Sequence, residues 1–247
     1  MELARGAREA KNKATPTAHA QHARARRRFL ERKALCPPSR SVLRPPGCLL
    51  LRACYCRAVD GNTLAPCLLV AMPQLLDPNF RRSVVLIVHH DETGTFGLVL
   101  NRVSDVSVGD LCGTLGIEWR GGGVTPLAWG GPVQPNTGWL LIGGRAVESG
   151  SVEDHEEVTE LGPGLQFAGS LATLRRVADA PPEQFRLFLG YAGWGPGQLE
   201  AELAQGAWLV APLRTDVVFT SPDEMWEGVV RSLGVDPATL VSTPGVH

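Results

Sequence analysis

Two features of this chain could do chemistry. His89 and His90 stand side by side at the end of an apolar, β-branched run, SVVLIVHH (83–90). A glycine-rich loop, GYAGWGPG (190–197), sits where a strand pattern gives way to a helix pattern. Histidine changes charge near neutral pH, and amides at a helix start can cradle a phosphate. Together they would suit a hydrolase or transferase acting on a phosphorylated metabolite, with His90 as base. Each also has a plainer reading. Adjacent residues on a strand point to opposite faces, so the two histidines cannot ligate one metal together. One then turns inward as a hydrogen-bonded core group and the other outward. The loop departs from G-x-G-x-x-G, because Gln198 stands three residues after Gly195, and Pro196 has no amide to donate. It reads first as a tight turn with Tyr191 and Trp194 packed on the core.

Other chemistry finds little footing. His155 lies in an acidic stretch, and no His/Cys/Asp/Glu spacing matches a zinc site. There is no G-x-S-x-G elbow, and neither Ser83 nor Ser170 has a signalled histidine partner. Cys112 falls on the inward face of a helix and is expected to be inert. Glu200 and Glu202 are two apart on a helix, so they diverge and read as solvated. No metal or cofactor is expected.

The elements that position these groups follow from pattern. Leu68–Ala71 is a short strand and Met72–Asn79 a loop. Ser83–His90 and Thr95–Asn101 form an antiparallel hairpin around Asp91-Glu92-Thr93-Gly94. Ser107 and Asp110 have the capping-box form, and Val108, Leu111, Cys112 and Leu115 give that helix one apolar face up to Gly116. Leu127–Trp129 and Thr137–Ile142 are strands around the turn-rich GGPVQPN. Ser170–Asp179 is a helix with Leu171, Leu174 and Val177 inward. Phe185–Tyr191 is a strand, Gly193–Gly197 a turn, and Gln198–Gln205 a helix. Ala207–Ala211 and Val217–Phe219 read as short strands. Ser221-Pro222-Asp223-Glu224 starts a helix that buries Trp226, Val229, Val230 and Leu233. Strands arrive both as hairpins and separated by helices, so the sheet is mixed.

Charge divides the chain. Residues 1–60 hold 14 Lys+Arg against 4 Asp+Glu, and the rest hold 10 Arg against 21 Asp+Glu. A domain with that acidic balance repels phosphate backbones, so nucleic-acid binding by the domain is disfavoured. The six acids between Glu148 and Glu160 read as a solvated edge or loop. Residues 1–63, with Arg24-Ala25-Arg26-Arg27-Arg28 and prolines at 37, 38, 45 and 46, show no core pattern. They read as a disordered basic extension; a nucleic-acid arm and an organelle leader are the competing readings. Val59 stands as an alternative start if its codon is GUG. Only Cys67 and Cys112 lie in the domain, so no disulfide framework is expected there and a reducing, cytoplasmic setting fits. No apolar run reaches the roughly 18 residues of a membrane span.

Four stretches in fixed order carry a further signal: LLVAMPQLLDPNFRRSVVLIVHHDETGTFGLVLNR, AWGGPVQPNTGW, LGYAGWGPGQLEAELAQGAWLVAP and MWEGVVRSLGV. Over about residues 64–240 the chain resembles the YqgE/AlgH family of bacterial proteins. The resemblance implies a single α+β domain whose mixed, mostly antiparallel, bifurcated sheet rolls into a pseudo-barrel with flanking helices. It implies a cytoplasmic protein, a proposed regulatory link to alginate production, and no catalytic residues to carry over. Val103 stands where members often have proline, and no histidine lies near Ile142 where members often have one. The expectation is a non-enzymatic regulator that binds a small molecule or a protein partner, with a transcription-linked role or the enzyme above as alternatives. The candidate ligand-binding residues are His90, Asn101, Gly130, Gly131, Tyr191, Trp194 and Gln198, where turn residues and aromatics gather in sequence.

Overall fold

Five consecutive residues, Cys67–Ala71, form β1 and all are buried. A strand covered on both faces needs an unbroken apolar run rather than alternation. The same holds for most of β2 (Val84–Asp91). The computed structural model of the chain describes residues 64–144 and 158–241. The expectations for residues 1–63, and for most of the acidic stretch 148–160, lie outside the described residues.

β2 and β3 (Gly94–Val99) form the expected hairpin, with His90 opposite Thr95 and a bulge between Ile87 and His89. β4 (Val103–Ser107) and β5 (Pro126–Trp129) form a second antiparallel pair. Between them lies α1 (Val108–Thr114), whose capping box forms as expected. Ser107 Oγ accepts the Asp110 N–H at 3.1 Å, and Asp110 Oδ2 accepts the Ser107 N–H at 3.2 Å. Those bonds with Ser107 hold the Asp110 carboxyl below its ordinary pKa. β6 (Val133–Gly143) starts inside the stretch read as turn-rich, four residues earlier than expected. β7 (Thr159–Gly162) and β8 (Leu165–Ala168) make a short hairpin, followed by α2 (Leu171–Asp179). β9 (Phe185–Trp194) absorbs Gly193 and Trp194 from the expected turn. α3 (Gln198–Ala204), β10 (Trp208–Pro212), α4 (Thr215–Val218), α5 (Pro222–Ser232) and α6 (Pro237–Val241) complete the described order.

Three expectations are corrected. Val217–Phe219 is not a strand: Val217 and Val218 belong to α4, and Phe219 closes it as the C-cap. Leu171 and Leu115, read as inward, are half exposed. Each sits at a helix end, Leu115 as the C-cap of α1 and Leu171 as the first residue of α2.

The ten described strands form one curled sheet: eight run in the order β10-β1-β2-β3-β9-β6-β8-β7, and β4 and β5 branch from it, β4 pairing with β5 and β5 with β9. Among the described strands only β5 with β9 is a parallel pair. The sheet bifurcates along one edge of β9. Its first half pairs with β5 at Ala128↔Phe188, and its second half pairs with β3 at Gly97↔Ala192. At the fork Gly130 and Gly131 pass against Gly190 and Tyr191. A Cβ on Gly130 would lie 2.3 Å from the Gly190 carbonyl oxygen, and one on Gly131 (φ +148) 2.2 Å from the Tyr191 carbonyl carbon. No side chain fits there, so the glycines are required by the crossing of two backbones.

The curl is a half-barrel with flanking helices. α5 fills it: Met225, Trp226, Val229 and Val230 join Leu68, Val70, Leu86, Leu100 and Phe188 in one core. Trp226 Nε1 donates to the Ala71 carbonyl at 2.8 Å, and the Arg82 guanidinium lies 4.8 Å over its ring. α3 covers the outer face of β1–β3 through Leu199 and Leu203. α1 and α2 cover the outer face of β5, β6 and β9. The ends of the sheet approach one another, since Thr215 Oγ1 donates to the Pro163 carbonyl at 3.2 Å. Among the described residues no helix is long and apolar enough to cross a membrane.

Candidate functional site

The strand register puts His90, Thr95 and Trp194 in one row across β2, β3 and β9. His90 is buried, and its Nδ1 shares a 2.7 Å hydrogen bond with Thr95 Oγ1. Its Nε2 faces Glu200 Oε1 of α3 at 3.5 Å. His89 points to the other side and meets Asp91 Oδ2 at 3.0 Å. Strand alternation separates the two rings, as the sequence implied. Asp91 is the hub of the hairpin turn. Burial pushes its carboxyl up, but the Thr93 hydroxyl and amide and His89 outweigh that and leave it below its ordinary value.

The loop after β9 leads into α3, and there a carboxylate organises the surroundings. Glu202 Oε2 accepts two indole N–H groups, Trp194 Nε1 at 2.9 Å and Trp208 Nε1 at 2.8 Å. Its Oε1 accepts Gln198 Nε2 at 2.9 Å. Gln198 Oε1 in turn accepts the Gly195 N–H at 3.1 Å, closing the turn on itself. Phe80 completes the cluster, 6.0 Å from Trp194 and 5.7 Å from Trp208. Glu202 is therefore not a solvated helix residue. The sequence held a usable signal: two tryptophans flanking a helix need acceptors for their N–H groups once buried, and Glu202 lies between them. Gln198 is the first residue of α3, so its side chain can reach back over the turn.

The other candidates lie elsewhere. Asn101 is buried and acts as a clamp. Its Oδ1 accepts the Val84 N–H at 2.9 Å, and its Nδ2 donates to the Arg82 carbonyl at 2.9 Å. Arg102 donates to the Arg81 carbonyl beside it. The Asn-Arg pair thus fastens the loop that opens β2. Gly130 and Gly131 form the fork, with Tyr191 against them. Tyr191 turns to the inner side of the curl, where Phe96 lies 4.8 Å and Trp139 6.2 Å away. The seven residues fall into three groups: His90, Trp194 and Gln198 beside α3; Gly130, Gly131 and Tyr191 at the fork; and Asn101 at the loop clamp.

Other reactive groups are quiet. Cys67 and Cys112 are free and buried, and burial pushes the Cys67 thiol up to about 12. Among the described residues no group of three His, Cys, Asp or Glu could hold a metal ion. An open cleft of about 260 Å³ lies away from these groups. It is lined by Gly116, Ile117, Glu118, Arg120, Arg175 and Asp179, and Arg120 pairs with Asp179 at 2.6 Å.

Comparison with known proteins gives this architecture its place. Residues 68–238 match a family model described as AlgH-like. A "UPF0301 protein" of Myxococcus xanthus is 42% identical over 189 residues, covering 75% of this chain and 99% of the relative. One from Anaeromyxobacter dehalogenans is 43% identical over 185 residues, covering 71% and 90%. The solution structure of the AlgH protein from Pseudomonas aeruginosa aligns with a TM-score of 0.57 and 32% identity, covering 76% of this chain and 98% of that one. A crystal structure of a Corynebacterium diphtheriae protein aligns with a TM-score of 0.57 and 28% identity, covering 73% and 91%. The signature stretches are those that build the loop clamp, the fork and the Glu202 cluster, and by sequence and by fold the chain belongs to the AlgH-like family.

Proposed function

We propose that this protein is a non-enzymatic binding protein that acts in regulation in the cytoplasm. The observation that carries the reading is the engagement of its candidate chemical side chains. His90, Asn101, Trp194, Gln198 and Glu202 each spend polar atoms on internal hydrogen bonds. Groups so held serve packing and orientation. The exposed turn Gly195–Gln198 is left as a contact surface, together with a stretch rich in exposed apolar side chains. Val103, Val106, Leu115 and Val124 account for four of the seven large apolar side chains exposed among the described residues. Such surfaces favour a protein partner over a reaction. The two buried free cysteines accord with a reducing compartment.

One observation favours the enzyme reading. His90 lies between a hydroxyl and a carboxylate, Thr95 and Glu200. The full chain and a His90→Gln variant, incubated with a panel of phosphorylated metabolites, separate the two. We expect no turnover from either. Turnover by the full chain that the variant loses would replace the binding reading with the hydrolase or transferase one. A bound ligand should show itself by stabilising the chain about 2.7 kcal/mol at a hundredfold excess over its dissociation constant.

A further inference from the structure

Two leucines that belong by spacing to the apolar faces of their helices stay in water. Leu115 closes α1 at 46% exposure, and Leu171 opens α2 at 51%. The open cleft of about 260 Å³ adjoins both. Leu115 directly precedes Gly116, which lines the cleft, and Leu171 stands one helical turn before Arg175, which also lines it. Residues four apart share a helix face, so Leu171, Arg175 and Asp179 run along one edge. α2 buries Thr173, Leu174, Val177 and Ala178 on its other side. The chain leaving α1, from Gly116 to Arg120, forms the opposite edge. The Arg120 N–H donates to the Ala178 carbonyl at 3.0 Å, which ties the two edges together at one end.

The charges of the cleft are unevenly matched. An arginine and an aspartate four apart on a helix can pair along its surface. Asp179 is instead taken by Arg120, across the cleft, at 2.6 Å. Glu118 stands 3.7 Å from the same guanidinium. Both carboxylates are therefore engaged by one arginine, and Arg175 is left with no ion pair or hydrogen bond among the described residues. The cleft thus offers an unpaired guanidinium beside the partly buried Ile117 and two half-exposed leucines. A guanidinium fork holds a carboxylate by paired N–H donors, and apolar side chains left in water mark contact with a partner. Size separates a partner's side chains from an enclosed small molecule. The space is open, and it falls below the roughly 300–1,000 Å³ of small-molecule pockets.

We propose that the cleft between α2 and the exit of α1 is a docking site for a protein partner, taking a short segment that carries an apolar side chain next to a carboxylate. The carboxylate meets Arg175, and the apolar side chain lies against Ile117 and the exposed leucines. The proposal rests on the protein-binding reading above and gives that reading a place and a partner chemistry.

Amide NMR of the full chain tests it, with N-acetyl-Leu-Glu-amide and its neutral counterpart N-acetyl-Leu-Gln-amide as probes. The acidic probe should shift the amides of Gly116–Arg120 and Arg175–Asp179 saturably. The neutral probe and acetate alone should bind at least fivefold more weakly. Arg175→Gln and Leu171→Ser, both at exposed positions, should each weaken the acidic probe at least fivefold while the remaining amides keep their wild-type shifts. Arg214→Gln, whose arginine pairs with Asp216, should bind as wild type does. Capture of the acidic probe by the basic segment 1–60 would survive Arg175→Gln and overturn the proposal. Acetate matching the acidic probe would make the cleft a small-anion site and overturn it. Shifts of these amides that grow with protein concentration alone would place a second copy of the chain in the cleft, and overturn it too. So would the absence of any saturable shift. Turnover of the metabolite panel would defeat the binding reading itself and leaves these amide shifts unaffected, so the two failures can be told apart.

Discussion

At the residue scale, Glu202 and Asp91 do the most with the least. Glu202 satisfies two buried indole N–H groups with a single oxygen. Glu202→Leu keeps the volume but leaves both donors unpaired. It should lower unfolding stability by about 2–6 kcal/mol, since each of the two orphaned donors costs about 1–3 kcal/mol. Urea unfolding measures the loss, and the near-UV dichroism of the tryptophans should change with it. Asp91 is held below its ordinary pKa when folded. A depressed carboxyl contributes stability above its unfolded value, about 3.9, and loses that contribution as pH falls through the lower folded one. Stability should therefore fall between pH 5 and pH 3 more steeply in wild type than in Asp91→Asn. Equal slopes would show that the turn does not use this charge.

At the element scale the fork and α5 make opposite demands on glycine. Gly131→Ala places a Cβ within 2.2 Å of backbone at a φ of +148. Neither neighbour can yield, so the loss should exceed about 3 kcal/mol. Gly228 lies inside α5 with nothing within 4 Å of an added Cβ. Gly228→Ala should stabilise by about 0.5–1 kcal/mol, from the helix preference alone. Melting both variants beside wild type gives the sign of each. What could be read in advance divides along the same line. The β2–β3 hairpin, the Ser107–Asp110 box and the Pro222 helix start are local patterns, so they were legible. Val217–Phe219 misled because three β-branched and aromatic residues mimic a strand, whereas the two valines end α4 and Phe219 caps it, all three packed on the inner core. β6 began among glycine and proline because the fork needs Gly130 and Gly131, and a fork is a long-range feature. β4 was invisible for a similar reason: it lies at a sheet edge and three of its five residues are exposed. Of the site residues, the histidines' opposite faces followed from alternation. The role of Asn101 did not, because its partners lie 17 and 19 residues away on another strand start.

At the scale of the whole molecule, the inner core depends on the C-terminal helices. α5 and its flanks supply Met225, Trp226, Val229 and Val230, with Leu233 and Leu240 packed behind. Each large apolar side chain left without cover forfeits about 1.5–3 kcal/mol, and a domain's whole margin is about 5–15 kcal/mol. A chain ending at residue 220 should therefore show no cooperative thermal transition and should bind a hydrophobic dye. A sharp transition near the wild-type temperature would mean that the curl is stable when empty.

The sharing of β9 between β3 and β5 also constrains the order in which the protein can be made. β3 and β5 leave the ribosome some 60 to 90 residues before the strand that joins them. β1 waits longer still for β10. Neither half of the sheet can take its final form on the nascent chain until β9 has emerged. Contacts so distant in sequence must close large loops before they repay the entropy. During that interval the edges of β3 and β5 are open to other strands, so synthesis itself is the stage at which this fold is most exposed to mispairing.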